Sequence, residues 1–221
     1  YTLADKLPVV SLQCPEDVER IFQEQLKKCG VDYFDYYLLH DLSTSHYEQA
    51  EKYDCFSFLR RLKETGKARH IGFSFHDTAD VLDQILTRHP EVEFVQLQIN
   101  YLDWEDAGIQ SRLCYETAIR HGKPVVVMEP VKGGSLAQIP EEAGRILKAC
   151  HPEWSPAAWA LRFAAGLDQV MVVLSGMSSL EQMEENLQVL ENPQPLSPEE
   201  QEAVRKAVEQ IRGTVAIPCT A

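Results

Sequence analysis

Positive charge is scarce in this chain: 21 lysines and arginines stand against 34 aspartates and glutamates, a net charge of −13 over 221 residues. Gripping a nucleic-acid backbone needs a basic face, so no nucleic-acid partner is expected. Long apolar runs are missing too. Nothing approaches the roughly 20 residues of a membrane-crossing helix, and no stretch reads as a signal peptide, so no membrane partner is expected. The six cysteines (Cys14, Cys29, Cys55, Cys114, Cys150 and Cys219) form no C-x-x-C pair. Most lie in apolar or helical contexts and read as small buried hydrophobes, which points to a reducing cytoplasm. What remains, 44% hydrophobic and 25% charged residues, is ordinary globular usage, enough for one large domain or two small ones.

The stretch that organises the rest is Asp35-Tyr36-Tyr37-Leu38-Leu39-His40. Its unbroken apolar run suits a strand buried on both faces. It stops at a titratable ring, and Asp41 to Ser45 reads as loop. Two readings of His40 stay open at this level: a core histidine bonded to backbone, or a reactive group at the carboxyl end of a parallel strand.

Elsewhere the chain alternates. The opening stretch to Pro8 reads as a strand, and Val18, Ile21, Phe22, Leu26 and Cys29 form one helical face ended by Gly30. Phe56 to Leu62 marks a helix stopped at Gly66, and His70 to Phe75 a strand. Asp77 is the expected N-cap of the next helix. Strands follow at Phe94–Asn100, Pro124–Met128 and Val170–Leu174, with helices between and after them. Ser179 with Gln182, and Ser197 with Glu200, read as capping boxes. Such alternation means a parallel sheet with crossover helices. No G-x-G-x-x-G follows a strand, which argues against an open dinucleotide-binding sheet. Polar residues end several strands: His40, Ser74, His76, Asn100, Glu129 and Ser175. The expected fold is therefore α/β, a TIM (β/α)8 barrel. About six β/α units are present and the first two are expected upstream of Tyr1.

Several stretches together resemble the aldo/keto reductase family: Lys6 on the opening strand, Tyr36-Tyr37-Leu38-Leu39-His40, Gly66-Lys67-Ala68-Arg69-His70-Ile71-Gly72-Phe73-Ser74, Gln96 to Asp103, Glu129 to Leu136, and Gly176 to Asn186. The resemblance implies an NADP(H)- or NAD(H)-dependent barrel acting on a small-molecule carbonyl substrate. It places Lys6 and His40 among the catalytic groups. The family's tyrosine and aspartate belong to the stretch before Lys6. Ser74 and Gln96 would hold the nicotinamide carboxamide, and Met128 would pack on the ring. Gly133, Gly134, Ser135 and Leu136 would approach the pyrophosphate, and Ser178 a phosphate. Glu185 and Asn186 would meet the ribose or adenine. Gln182 stands where many NADP-specific members carry arginine.

Taken singly, Ser178 and Ser179 are helix caps, Gly133-Gly134 is a loop signal, and Lys6 a surface lysine. A subgroup of the family continues into a ferredoxin-like segment, and Cys219-Thr220 resembles its opening. On that reading residues 1–213 are a partial barrel, 214–221 begin an extension, Cys219 is a metal ligand, and a [4Fe–4S] cluster belongs to the full-length protein only. A different class stays open beside the reductase: a catalytically weak nicotinamide-binding sensor or assembly subunit on the same barrel. The sequence does not set the oligomeric state.

Overall fold

The computed structural model describes residues 1–214. Six strands and nine α-helices occur among them. β1 (Ala4–Pro8) is followed by α1 (Glu16–Cys29), β2 (Phe34–Leu42), α2 (Thr44–Lys52), α3 (Cys55–Glu64), β3 (Ala68–Phe75) and α4 (Ala79–Arg88). Then come β4 (Phe94–Gln98), α5 (Ser111–Arg120), β5 (Val125–Met128), α6 (Glu141–Cys150), α7 (Pro156–Ala165), β6 (Val170–Val173), α8 (Leu180–Leu190) and α9 (Pro198–Thr214). The strands are hydrogen-bonded in chain order, β1-β2-β3-β4-β5-β6. The fold is α/β with a parallel sheet, and among the described residues the sheet is not closed.

By its contacts the chain divides into two compact units, each described by itself. One comprises Tyr1–Gln98 with Ala107–Val126, the other Ile99–Asp106 with the chain from Val127 on. In the first unit the parallel pairing fixes which side chains share a face. Lys6 lies opposite Leu38, Pro8 opposite His40, Tyr36 opposite His70, Leu38 opposite Gly72, and Ser74 opposite Gln96. Because strand side chains alternate with period two, Lys6, His40, Ser74 and Gln96 all project from the same face of β1 to β4. On the same face Leu38, Phe94 and Val126 form a buried cluster edged by Tyr36. Gly72 makes that layer possible: a Cβ there would stand 2.6 Å from the Phe94 carbonyl oxygen and 2.7 Å from its ring. The opposite face packs on α1 and α3, where Phe22 meets Phe34, Tyr37 and Phe58 edge-on.

In the second unit the core runs through Trp159 and Ala160 of α7, Ala143 and Leu147 of α6, and Val204, Ala207 and Ile211 of α9. β6 joins β5 through the Leu174 N–H, which donates to the Val127 carbonyl at 2.9 Å.

The helix stops expected at Gly30 and Gly66 both have positive φ, as does Gly122 after α5. Both capping boxes form in part or whole. The Gln182 N–H donates to Ser179 Oγ at 3.3 Å, but the Gln182 carboxamide oxygen reaches back to the Ser178 N–H. Ser197 and Glu200 bond each other reciprocally. Two local expectations are corrected. Asp77 does not cap α4; Thr78 holds the N-cap position without a side-chain bond, and the Asp77 carboxylate takes the N–H and hydroxyl of Thr44 instead. That borrowed cap bears on the second correction: of the stretch Asp41 to Ser45, read as loop, Asp41 and Leu42 belong to β2 and the chain turns helical at Thr44.

Candidate active site

Strand ends build the site in the first unit. Between Leu39 and Leu42 the pairing of β2 with β3 slips: Leu39 faces Phe73 while Leu42 faces Phe75, three steps against two. The extra residue is Asp41, at φ 63°. The Asp41 N–H donates to Ser74 Oγ at 2.8 Å. Ser74 is fully buried and Gln96 nearly so. His40 and Lys6 are half-buried. Burial, then the Lys6 ammonium, hold the His40 imidazole below its ordinary range, against the opposing pull of Asp41. Burial also lowers the Lys6 ammonium, with Asp5 opposing it. Each group thus feels its place in a low-dielectric layer, and the imidazole feels the amine.

Two further histidines join this cluster: His76, already among the polar residues at strand ends, and His46, which the sequence did not single out. His46, on α2, brings Nδ1 to 2.6 Å from the Asp41 carbonyl and 3.3 Å from its carboxylate. His76, just past β3, brings Nε2 to 3.8 Å from the other carboxylate oxygen. A left-handed aspartate leaves no mark in a sequence beyond belonging to a type that tolerates it.

In the second unit, a cavity of about 300 Å³ is lined by Glu129, Gly133 and Gly134 after β5, by Ser175 and Met177 after β6, and by Gln182, Glu185 and Asn186 of α8. Five of the expected cofactor residues therefore share one wall or another of a single hollow. Gly133 and Gly134 have φ of 60° and 93°, and a Cβ on either would meet nothing within 4 Å. Their backbone stands open. Asn186 donates to Ser175 Oγ at 2.9 Å.

The other expected residues lie apart from that lining. Leu136 is buried in the core of the unit. Ser135 Oγ donates to the Lys132 carbonyl. The Ser178 N–H is spent on Gln182, and Met128 ends β5. Cys219 and residues 215–221 lie outside the described residues. Among the described residues no group of three His, Cys, Asp or Glu side chains could hold a metal ion, and no helix is long and apolar enough to cross a membrane.

The loop carrying the glycines is fastened from below. Lys132, at φ 48°, sets its ammonium 2.7 and 2.9 Å from the two Asp103 oxygens. Asp103 is held by the buried Asn100 amide at 2.8 Å, and Asn100 also donates to the Glu129 carbonyl at 3.2 Å.

Fold and site together define a parallel α/β protein with its polar groups gathered at carboxyl strand ends. The model of the aldo/keto reductase family matches residues 1–209, and the chain belongs to that family. It is similar to 4-dihydromethyl-trisporate dehydrogenase of Mucor mucedo, 24% identical, the match covering 79% of this chain and 61% of that protein. The chain thus spans about three-fifths of that relative. Among solved structures it resembles an aldo-keto reductase from Bacillus halodurans in its holo form: 23% identity, 93% of this chain and 71% of that one, TM-score 0.72. It also resembles one from Klebsiella pneumoniae in complex with NADPH: 20% identity, 93% and 69% coverage, TM-score 0.70. At such identities the structural likeness is one of fold.

Proposed function

We propose that the protein is an NAD(P)H-dependent oxidoreductase acting on a small carbonyl or alcohol. The observation that carries this is the second unit's cavity, which gathers Gly133, Gly134, Gln182, Glu185 and Asn186. These residues fit a dinucleotide. Two glycines with open backbone leave room for a diphosphate, the Asn186 amide suits an adenine edge, and Glu185 suits ribose hydroxyls. Gln182 brings no positive charge to a 2′-phosphate, so both NADPH and NADH are candidates.

When bound, the nicotinamide supplies the hydride. Ser74 and Gln96 would hold its carboxamide, and the Met128 thioether would pack on its ring. His40, neutral at pH 7, donates one N–H to the carbonyl oxygen. The Lys6 ammonium places positive charge in the same layer, where negative charge develops as the carbonyl is reduced. Holding the partners in fixed geometry supplies much of the rate.

The test is a fluorescence titration with NADPH and with NADH, on the wild type and on Gly134→Ala. We expect at least one nucleotide to bind, and the variant to bind it roughly tenfold or more weakly, because alanine at φ 93° strains the loop. If neither nucleotide binds, the reading fails.

One observation favours a second reading, a nicotinamide-binding sensor or assembly subunit with little turnover. The tyrosines around β2 are engaged elsewhere: Tyr37 donates to Gln25 at 2.6 Å, Tyr36 stacks on His70, and Tyr47 meets His89. Binding of NADPH without its oxidation by any of a panel of aldehydes and ketones would select this reading.

The same proposal carries a cytoplasmic setting, supported by cysteines that are unpaired among the described residues. Its remaining part is an iron–sulfur segment beginning at Cys219. Its support is the Cys219-Thr220 pair, and one thiolate holds no cluster alone. Iron and acid-labile sulfide well below one cluster per full-length protein, purified anaerobically, would remove that part.

A further inference from the structure

The bulge in β2 begins directly after His40, and it is held by few bonds. Asp41 is a non-glycine in the left-handed region, a conformation that persists only where its surroundings enforce it. Three hydrogen bonds do so. The Asp41 N–H donates to Ser74 Oγ at 2.8 Å, the Asp41 carbonyl meets His46 Nδ1 at 2.6 Å, and the His76 N–H donates to the Leu42 carbonyl at 2.8 Å. Of these, the Ser74 bond lies deepest, since Ser74 is fully buried. It also replaces the backbone acceptor that the Asp41 N–H loses when the register slips. Bulges of this kind re-aim the side chain beside them. An N–H can only donate, so the Ser74 oxygen accepts here, and its own proton is left over for another acceptor.

We propose that Ser74 is the positioning residue for His40: by accepting the Asp41 N–H it pins the one-residue bulge that aims the imidazole. Through the reductase reading, on which this last consequence rests, one hydroxyl then fixes two things. Its oxygen would set the group over the carbonyl and its proton would hold the carboxamide, so ring and carbonyl would be registered by the same hydroxyl. The groups facing His40 are Lys6 from β1, Asp41 from β2 itself, His46 from α2 and His76 after β3.

The experiment is NMR on the protein without nucleotide, following Asp41 amide exchange and the His40 ring titration. In Ser74→Ala we expect exchange to quicken by roughly tenfold, the effect of losing one ordinary hydrogen bond. The His40 midpoint should rise toward its ordinary value as the ring leaves its buried position. Ser74→Cys fills the site but accepts weakly, and should behave like the alanine variant. If cysteine restores both readouts, volume and not the hydrogen bond is responsible, and the proposal is overturned. Unmoved readouts in Ser74→Ala overturn it equally.

Should Ser74→Ala fold poorly, the comparison moves to an Asp41→Gly background, where glycine adopts the left-handed turn without strain. There Ser74→Ala should leave the His40 midpoint nearly where Asp41→Gly alone puts it. An undiminished shift counts against the proposal. A protein that shows the expected shifts but binds no NADPH or NADH retires the reductase reading alone. One that binds nucleotide but shows no shift retires only the role given to Ser74.

Discussion

His40 and Lys6 owe their chemistry to depth. Both are shifted by burial first, and the imidazole then by the amine. For stability the sign is definite. The folded pKa of His40 lies below the ordinary 6.5, so the unfolded chain binds the proton first as pH falls. The contribution is complete above about pH 6.5 and is lost as pH drops through the folded value. We expect His40→Asn to flatten that part of the fall in urea midpoint below pH 6.5, with little change at pH 8. An identical pH profile in the two proteins would contradict it. For activity, Lys6→Met would on the reductase reading remove the charge proposed to face the developing oxyanion. On the reductase reading it should cut kcat by about 10²–10³, as loss of one stabilising group does elsewhere, while nucleotide affinity in the titration holds.

At the scale of elements, close approach and capping set the margins. Gly72 lets β3 lie against Phe94, whose carbonyl oxygen would be 2.6 Å from an added Cβ. Backbone cannot yield that far cheaply, so Gly72→Ala should destabilise by about 1–3 kcal/mol, the usual cost of overpacking. Chemical denaturation reads this, and a neutral result would mean that the Phe94 layer is loose. α7 begins at Ser155, whose hydroxyl accepts the Ala158 N–H at 3.0 Å, with Pro156 at the first helical position. Ser155→Ala should cost about 1 kcal/mol. α7 also carries fully buried Trp159, so fraying at this cap should show first as a change in near-ultraviolet circular dichroism.

Across the whole molecule, the described surface is uneven. Met171, Val172 and Leu174 on and after β6, and Leu180, Met183 and Leu187 on α8, are all exposed. An apolar stretch of this kind on an otherwise acidic protein favours association. We expect sedimentation of the 221-residue chain to show a mass that rises with concentration, and Leu180→Glu with Leu187→Glu to suppress the rise. A concentration-independent mass for the unaltered chain would contradict this.

Local rules carry much of this fold. Strand and helix alternation, the stops at Gly30 and Gly66, and the caps at Ser179 and Ser197 depend on neighbours within a few residues, and such neighbours can be read in order. Period-two alternation even assigns Lys6, His40, Ser74 and Gln96 to one face, once parallel pairing in register is granted. Register itself is another matter. The slip that makes Asp41 the odd residue, the turn of its N–H onto Ser74, and the hand-over of Asp77 to Thr44 each join residues more than 30 apart. The clamp of Lys132 on Asp103 joins residues 29 apart. Those bonds form only because folded backbone brings the partners within 3 Å, and no local propensity encodes that. The sequence by itself determined which residue types stand at the strand ends; the tertiary structure alone decided how they are aimed.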